Sequence, residues 1–356
     1  NGFVGKNLIS HLTEKYTCKI LKTLRGTSKE EFEEQVIESD FIFHLAGENR
    51  PLNSEDFYKN NTNFTQRICE LLIKNNRSTP VIYTSSIQSE LDNDYGKSKR
   101  GAELALEDYS KEIGASVFIY KLPNLFGKWS RPNYNSVVAT FAYNTLNHLE
   151  ITNNSPNKIL KLLYIDDLVE TFLKVYEEKA FVELPPVYEI SLKDLENLFK
   201  SFKNSRSSMI SERVGESLTR ALYSTYLSFM TPDQFSYGLT KHEDPRGTFV
   251  EMLKTKDSGQ FSFFTAHPGV RRGGHYHHSK NEKFLVIKGK AKFGFRNIIT
   301  DEKYFIESTQ KECRVIETVP GWTHDITNIG EDEMIVMLWA NEMFDPSNPD
   351  TFTSKV

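Results

Sequence analysis

The first two thirds of the chain alternate between short apolar runs and longer segments with helical periodicity. These runs predict strands at 19–24, 41–47 and 81–86, of which 41–47 is expected to be buried. Between them, the segment 53–76 predicts a helix whose apolar stripe packs against the core. That stripe consists of Phe57, Asn61, Phe64, Ile68 and Leu71. Strands and helices in alternation predict a doubly wound α/β fold with a parallel sheet.

Residues that favour helix starts refine this picture. Ser28 with Glu31 forms a capping box that predicts a helix up to residue 39. Asp166 and Asp167 predict another helix start, because acidic side chains complement the helix dipole there. A further helix is predicted over 136–147.

The pattern changes after residue 230, where Thr231-Pro232-Asp233 interrupts the helical periodicity. Short runs of alternating apolar and polar residues follow, which predict an all-β region. The predicted strands are 249–253, 261–265, 284–287, 291–295, 304–307, 315–318 and 334–339. We therefore expect two domains, 1–230 and 231–356, each with its own core.

Composition agrees with such a protein and excludes several classes. With 38% hydrophobic and 26% charged residues among 356, the chain has ordinary globular composition, and no apolar run approaches the ~18 residues of a membrane span. A net charge of −4 argues against a nucleic-acid binder. Cys18, Cys69 and Cys313 form no C-x-x-C pair, and no signal-peptide pattern is visible, so we expect a reduced, cytoplasmic protein.

A metal-ligand pattern occupies the all-β region. His275 and His277 alternate along a predicted strand and therefore share a face, where Glu282 and His324 complete a set of three histidines and one carboxylate. His278 is an alternative ligand to His275, although its odd spacing from His277 requires a bulge or a strand end. Two other interpretations are a histidine-rich loop with solvated side chains and a site that is empty or purely structural.

The chain opens on Gly2-Phe3-Val4-Gly5, which reads as the end of a glycine-rich turn entering a helix. In its complete form, such a turn follows a strand and sets a pyrophosphate on the helix N-terminus. The strand and one glycine do not precede Gly2 in the sequence given. Arg25 follows the predicted strand at 19–24 and favours the 2′-phosphate of NADP, unless it is merely a solvated arginine.

Ser86, Tyr95 and Lys99 form the candidate catalytic set of this half. Tyr95 and Lys99 lie four apart on a predicted helix, and Ser86 ends a strand at the sheet edge where such folds bind ligands. A neighbouring ammonium favours the phenolate of a tyrosine, which brings it into range for acid–base catalysis. The Y-x-x-x-K spacing recurs at Tyr237 and Tyr276, so an exposed helical pair is the alternative interpretation. In the loop after Phe126, Lys128 and Arg131 are candidate diphosphate contacts.

Six motifs in order make residues 1 to about 225 resemble an extended short-chain dehydrogenase/reductase of the nucleotide-sugar type, with a Rossmann-like fold. They are Gly2-Phe3-Val4-Gly5, His44-Leu45-Ala46-Gly47, Thr84-Ser85-Ser86, Tyr95-Gly96-Lys97-Ser98-Lys99, Pro123-Asn124-Leu125-Phe126-Gly127 and Tyr164-Ile165-Asp166-Asp167. The resemblance implies Tyr95 as acid or base, Lys99 on the cofactor ribose, and Ser86 or Ser85 on the substrate carbonyl. It further implies a cofactor site at Gly2, Phe3, Gly5, Leu45, Ala46, Gly47 and Asn124. The family's usual tyrosine-glycine after the serine strand is replaced by Gln88-Ser89.

The last third resembles the cupin family. Gly269, His275, His277, Glu282 and Gly289 match every fixed position of its first motif. The second motif departs from the family form: Pro320 and Gly321 are adjacent, ahead of His324 and Asn328, and an upstream glycine is absent. The resemblance implies a small antiparallel barrel with a divalent metal, for which zinc is the expected ion.

A nucleotide-sugar reductase joined to a cupin resembles the bifunctional enzymes of capsular polysaccharide synthesis. This resemblance implies a homodimer that epimerises C3 of a UDP-2-acetamido-2,6-dideoxy-4-hexulose and reduces C4 with NADPH, on the route to UDP-N-acetyl-L-fucosamine. Tyr276, His278 and Asp325 are candidate bases because they neighbour the metal ligands. Two alternatives stay open: a redox-neutral epimerase or dehydratase with bound NAD and a structural cupin, and a non-catalytic sugar-nucleotide sensor.

Overall fold

The computed structural model describes residues 2–347 and 349–356. The chain divides into two compact units, Asn1–Asn197 with Ala221–Phe229, and Leu198–Arg220 with Met230–Val356. Among the described residues, no helix has the length and apolar character that a membrane crossing requires.

The helices and strands follow one another in a clear order along the chain. The helices are α1 Phe3–Lys15, α2 Lys29–Glu38, α3 Glu55–Phe57, α4 Phe64–Lys74, α5 Asp94–Ile113, α6 Val137–Leu146, α7 Ile165–Glu178, α8 Leu192–Ser208 and α9 Ser217–Leu227. The strands of the first unit are β1 Ile42–His44, β2 Val81–Ser86, β3 Val117–Leu122, β4 Asn124–Phe126, β5 Ile159–Tyr164 and β6 Tyr188–Ser191. Those of the second are β7 Ile210–Ser211, β8 Lys241–Asp244, β9 Gly247–Thr255, β10 Gly259–Ala266, β11 Arg271–Tyr276, β12 Glu282–Lys288, β13 Lys290–Asn297, β14 Lys303–Thr309, β15 Val315–Glu317, β16 Trp322–Asn328, β17 Met334–Ala340 and β18 Phe352–Thr353.

In the first unit, β1, β2 and β3 form a parallel sheet in that order. Tyr83 of β2 belongs to a core shared with α2, α4 and α5. On the other face, Phe43 of β1 and Tyr120 of β3 contact Tyr176 and Phe172 of α7. Helices therefore cover both faces, which confirms the predicted doubly wound α/β arrangement. A second sheet pairs β4 parallel with β5, and β5 antiparallel with β6.

Two predictions for this unit need correction. The strand predicted at 19–24 is wrong, since those residues lie outside any strand. A strand needs a neighbour, and in a doubly wound sheet this one pairs with the strand ahead of the glycine turn, which the given sequence does not contain. The helix predicted at 53–76 exists, but α3 and α4 are joined by a π-helical segment, Tyr58–Asn63.

The predicted helix starts are confirmed with one qualification. The Ser28 hydroxyl accepts a hydrogen bond from the Glu31 backbone N–H at 3.1 Å and caps α2. Ser136 likewise caps α6. Asp166 and Asp167 lie in the first turn of α7 without capping it by a side-chain hydrogen bond, so their contribution there is electrostatic.

The second unit consists mainly of two sheets. One has the order β15-β12-β17-β10-β9-β7 with β8 beside β9, and the other the order β14-β13-β16-β11-β18. Inward side chains from both, including Phe264, Phe284, Phe293 and Ile326, form one buried cluster. All seven predicted strands are confirmed, and β7, β8, β11, β16 and β18 complete the set. The strands form two sheets, and the small antiparallel barrel that the cupin resemblance implies stays a prediction.

Candidate active sites

Ser86 and Tyr95 meet at the carboxyl end of β2. Tyr95 lies in the first turn of α5, which Asn93 caps by accepting a hydrogen bond from the Gly96 N–H at 2.8 Å. Burial raises the pKa of Tyr95, and a hydrogen bond with Ser86 partly offsets this rise. The phenol is therefore protonated at neutral pH and is a proton donor in this state.

Ser85, the alternative to Ser86, has a different partner. Its hydroxyl hydrogen-bonds the carboxylate of buried Glu103 on α5. Burial raises the pKa of Glu103, but hydrogen bonds from Ser85 and Arg100 outweigh that effect and lower it. Ser89, of the unusual Gln88-Ser89 pair, is buried as well.

Lys99 is buried one helical turn after Tyr95. Its Nζ donates to the Thr84 carbonyl oxygen at 2.7 Å and lies 4.4 Å from the Tyr83 ring centroid. Burial lowers the pKa of Lys99 to about 8, against an opposing effect of the Glu103 charge. The structure thus brings all three predicted catalytic residues to one sheet edge.

Asn61 connects this edge to the turn after β1, a role that its place in an apolar stripe concealed. Its amide accepts from the Glu48 N–H at 2.8 Å and donates to the Glu48 carbonyl at 3.0 Å and the Ser98 hydroxyl at 2.9 Å. A Cβ on Gly47 would stand 3.3 Å from Asn61 Oδ1 and 3.4 Å from Lys99 Nζ. In the sequence, this role was indicated only by the polar character of Asn61 within an otherwise apolar helical stripe.

The N-terminus of α1 fits the pyrophosphate of a dinucleotide. Gly2 is its N-cap residue, and neither a side-chain cap nor an acidic first-turn residue occupies it. Uncapped N–H groups and the helix dipole suit an anion.

The other predicted cofactor residues are more dispersed. Arg25 is exposed and its Nη2 lies 2.7 Å from Glu48 Oε2. Leu45 and Ala46 follow β1 directly. Asn124 is exposed at the start of β4, where its amide donates to the Lys161 carbonyl at 3.3 Å.

The two candidate diphosphate contacts differ in their surroundings. Lys128 forms an ion pair with Asp166, so its charge is already compensated. Arg131 packs over the Tyr134 ring at 5.3 Å.

In the second unit, a β-bulge turns His275 inward. The ladder of β11 and β16 pairs Arg272 with Ile326 and Gly273 with Asp325, and then shifts so that His275 opposes His324. Gly274 is the extra residue, and Gly273 and Gly274 have φ of 85° and 87°. In a regular ladder Gly274 would pair with His324, and the His275 side chain would lie on the other face of the sheet from His324.

His275, His277, Glu282 and His324 offer ligand atoms that all lie within 4.8 Å of one another. Glu282 Oε2 stands 3.4 Å from His277 Nε2 and 3.2 Å from His324 Nε2. The pKa of His275 is lowered to about 4, mainly by burial and secondly by the nearby His324. For Glu282, the hydrogen bonds to both histidines outweigh burial and hold the pKa well below its usual range.

These residues fit a divalent metal. Nδ1 of buried His324 has no hydrogen-bond partner among the described residues, and a buried unpaired nitrogen is costly unless something binds it. His277 Nδ1 hydrogen-bonds the Asp350 carbonyl, which leaves Nε2 for a ligand bond. Three neutral imidazoles with one carboxylate are a donor set for zinc and similar ions.

A cavity of about 170 Å³ adjoins the cluster, with His275, Glu282 and His324 in its lining beside Phe264 and Phe293. The three candidate bases lie around it differently. Tyr276 is on the opposite strand face and stacks on Phe352 at 5.3 Å, and His278 contacts the same ring at 4.8 Å. Asp325 lines the cavity, with Oδ2 3.5 Å from Arg271 Nη1, and burial raises its pKa. Sequence reasoning missed Lys280, which is buried with Nζ 3.7 Å from Glu282 Oε1.

Comparison with known families agrees with the division of the chain. Residues 1–191 match the NAD dependent epimerase/dehydratase family, and residues 242–352 match the polysaccharide biosynthesis C-terminal domain. The UDP-glucose 4-epimerase of Thermus thermophilus, at 14% identity and a TM-score of 0.51 over 64% of this chain and 96% of its own, shares the fold alone.

Two relatives match along the whole chain. One is the UDP-2-acetamido-2,6-beta-L-arabino-hexul-4-ose reductase of Pseudomonas aeruginosa, which is 55% identical over 100% of this chain and 97% of its own. The other is the crystal structure of the capsular polysaccharide assembling protein CapF from Staphylococcus aureus, with 40% identity and a TM-score of 0.92 over 100% and 98%. A second CapF structure, with the inhibitor 3-isopropenyl-tropolone, matches at 37% identity and a TM-score of 0.87 over 100% and 97%. The chain therefore belongs to the NAD dependent epimerase/dehydratase family, and it resembles CapF from end to end.

Proposed function

We propose that this protein is a bifunctional nucleotide-sugar enzyme of capsular polysaccharide synthesis. Its second unit epimerises C3 of UDP-2-acetamido-2,6-dideoxy-4-hexulose. Its first unit reduces the C4 ketone with NADPH to a UDP-2-acetamido-2,6-dideoxy-L-talose, the precursor of UDP-N-acetyl-L-fucosamine. The observation that carries the proposal is the presence in one chain of the Ser86, Tyr95 and Lys99 set and the cluster of three histidines with Glu282.

The relatives support the ketone as substrate. The Pseudomonas relative is named a reductase of a hexul-4-ose, a sugar with its carbonyl at C4. The CapF inhibitor is a tropolone, which carries a ketone and a hydroxyl oxygen on adjacent carbons. The proposed substrate carries the same pair at C4 and C3, and such a pair suits a divalent ion.

In the reduction, the first unit binds the ketone between Ser86 and Tyr95. NADPH, when bound, supplies the hydride that C4 receives. Tyr95 donates its phenolic proton to the C4 oxygen, so that one hydride and one proton convert ketone to alcohol. Ser86 holds the ketone oxygen by a hydrogen bond, and the Lys99 ammonium binds the cofactor ribose and favours the phenolate that remains. Arg25 selects the 2′-phosphate of the cofactor.

In the epimerisation, a base removes the C3 proton, which the neighbouring ketone acidifies, and the enolate is reprotonated on its other face. His275, His277, Glu282 and His324 hold a divalent ion, with zinc expected. When bound, that ion supplies Lewis-acid stabilisation of the developing negative charge. The apolar walls around Phe264 and Phe293 exclude water and strengthen these electrostatic contacts.

The test is to incubate the full chain with candidate UDP-4-keto sugars and NADPH in D₂O. We expect NADPH oxidation together with deuterium incorporation at C3. Turnover without net NADPH consumption would instead establish the redox-neutral epimerase or dehydratase, and no turnover of any candidate would favour the sensor. Light scattering of the same preparation tests the homodimer that the resemblance implies.

A further inference from the structure

The segment 349–356, called the C-terminal strap, lies against the part of the chain that carries two metal ligands. Within it, Asp350 approaches the loop 278–281, which separates His277 from Glu282. The strap has no part in the proposed chemistry. We propose that Asp350 is a positioning residue that sets the geometry, and therefore the affinity, of the metal centre, an inference that rests on the proposed function.

The Asp350 carboxylate binds the loop backbone through consecutive N–H groups. Oδ1 accepts from the His278 N–H at 2.8 Å, and Oδ2 accepts from those of Ser279 at 2.7 Å and Lys280 at 2.8 Å. The Ser279 hydroxyl adds a bond to Oδ2 at 3.0 Å. Successive backbone N–H groups form an anion-binding concavity, and here the anion is a side chain of the same chain.

The same residue orients a ligand directly. The Asp350 carbonyl oxygen accepts a hydrogen bond from Nδ1 of His277, which fixes the tautomer whose Nε2 faces Glu282. Because the carboxylate anchors the backbone of residue 350, it also holds this carbonyl in place. Partners of this kind typically account for ~10- to 100-fold in metal affinity.

The rest of the strap fixes the other histidine segment. Strand β18 pairs with β11, placing Thr353 opposite His275 and Phe352 opposite Tyr276. Arg296 then holds the chain end through the Lys355 carbonyl and the Ser354 hydroxyl, each at 2.7 Å. The strap therefore contacts both segments that carry the metal-binding histidines His275 and His277. We expect bound metal to order the strap, and an ordered strap to strengthen metal binding.

The test compares wild type with Asp350→Ala and Asp350→Asn in the full chain, with Asp345→Ala as matched control. Asp345 lies just ahead of the strap, and among the described residues its carboxylate accepts a hydrogen bond from the Ser347 N–H at 2.8 Å and none from the loop 278–281. Each protein is stripped of metal and titrated with Zn²⁺ against a chromophoric chelator. The visible spectrum of the Co²⁺ form reports the coordination geometry.

We expect Asp350→Ala to weaken Zn²⁺ binding ~10- to 100-fold and to alter the Co²⁺ spectrum. Asp350→Asn keeps one acceptor oxygen, so its Zn²⁺ affinity should lie between those of Asp350→Ala and wild type. Metal-free Asp350→Ala should still unfold cooperatively, which shows that it is folded. Metal should slow hydrogen exchange of the strap in wild type and Asp345→Ala, but not in Asp350→Ala.

Unchanged Zn²⁺ affinity and Co²⁺ spectrum in both Asp350 variants would overturn the positioning role while leaving the metal centre intact. An equal loss of affinity in Asp345→Ala would overturn it as well, because that variant spares the loop. Failure of wild type to bind either ion would instead remove the proposed metal centre itself.

Discussion

His275 and His324 are direct partners across the β11 and β16 ladder, and they face each other only because Gly274 is inserted between His275 and the regular part of the strand. Their rings lie 4.6 Å apart in an edge-on arrangement. The metal-ligand set thus depends on a local irregularity of the backbone.

Gly274→Val is expected to disfavour the positive φ of the bulge, so that residue 274 pairs with His324 in a regular ladder and His275 turns to the opposite face. Bound zinc, measured by elemental analysis, should fall to the content of His275→Ala. Gly238→Val, in an exposed loop with open space around it, is the control. Retention of wild-type zinc in Gly274→Val would contradict the role assigned to the bulge.

His277→Ala should deplete the metal, because it removes a ligand whose tautomer is already fixed by Asp350. C3 deuterium exchange should be lost with it. Reduction of a ketone that is already epimerised should persist, since the Ser86 and Tyr95 set is separate. Unchanged metal content in this variant would exclude the proposed ligand set.

Tyr95→Phe should lower NADPH oxidation by ~10²- to 10⁴-fold, because the phenylalanine has no proton to donate to the C4 oxygen. Deuterium exchange at C3 should continue. Tyr237→Phe is a matched control, since Tyr237 and Lys241 repeat the Y-x-x-x-K spacing and Tyr237 is exposed. Loss of both activities in Tyr95→Phe would argue against separate sites.

Ser86→Ala should reduce kcat by ~10²-fold through loss of a hydrogen bond to the ketone oxygen. Ser85→Ala should affect kcat less and lower the free energy of unfolding by ~1 kcal/mol, because buried Glu103 loses a hydrogen bond. Steady-state kinetics and denaturant unfolding of both variants separate the two effects. The reverse ranking of kcat would assign the carbonyl contact to Ser85.

The pH profile of the reduction should fall on its alkaline side. Burial lowers the pKa of Lys99 to about 8, so the ammonium that binds the ribose is lost as the pH rises through that value. The measured quantity is kcat/KM for NADPH from about pH 6 to about pH 10, a range that spans this pKa and the ordinary value of a lysine. In Lys99→Arg the guanidinium stays charged, so the residual activity should lose this alkaline decline. A wild-type profile that stays flat to the alkaline end would refute the assignment.

Local sequence spacing was enough to predict that Ser86, Tyr95 and Lys99 lie together, but it was not enough to predict the geometry of the metal centre. Tyr95 and Lys99 share a face on any helix, and Ser86 is fixed by the end of its strand. For His275 and His277, alternation predicts a common face but not which face, since that depends on the register against β16. The adjacent Gly273 and Gly274 were the one signal of the bulge.

Long-range partners escaped prediction for the same reason. Asp350 is 73 residues from His277, and no periodicity connects them. The strand predicted at 19–24 failed because apolar character does not supply a ladder partner. Asn61 was assigned to core packing because helical spacing alone cannot distinguish a packed stripe from a hydrogen-bonded one.

The Asn61 amide makes the turn after β1 and helix α5 a single cooperative unit. The Glu48 N–H and the Ser98 hydroxyl, on separate segments, both bind it, and Ser98 also donates to the Tyr95 carbonyl at 2.8 Å. Opening either segment breaks a hydrogen bond to the other, so we expect their amide hydrogens to exchange together. A change in the turn after β1 should therefore reach Tyr95 through Asn61 and Ser98.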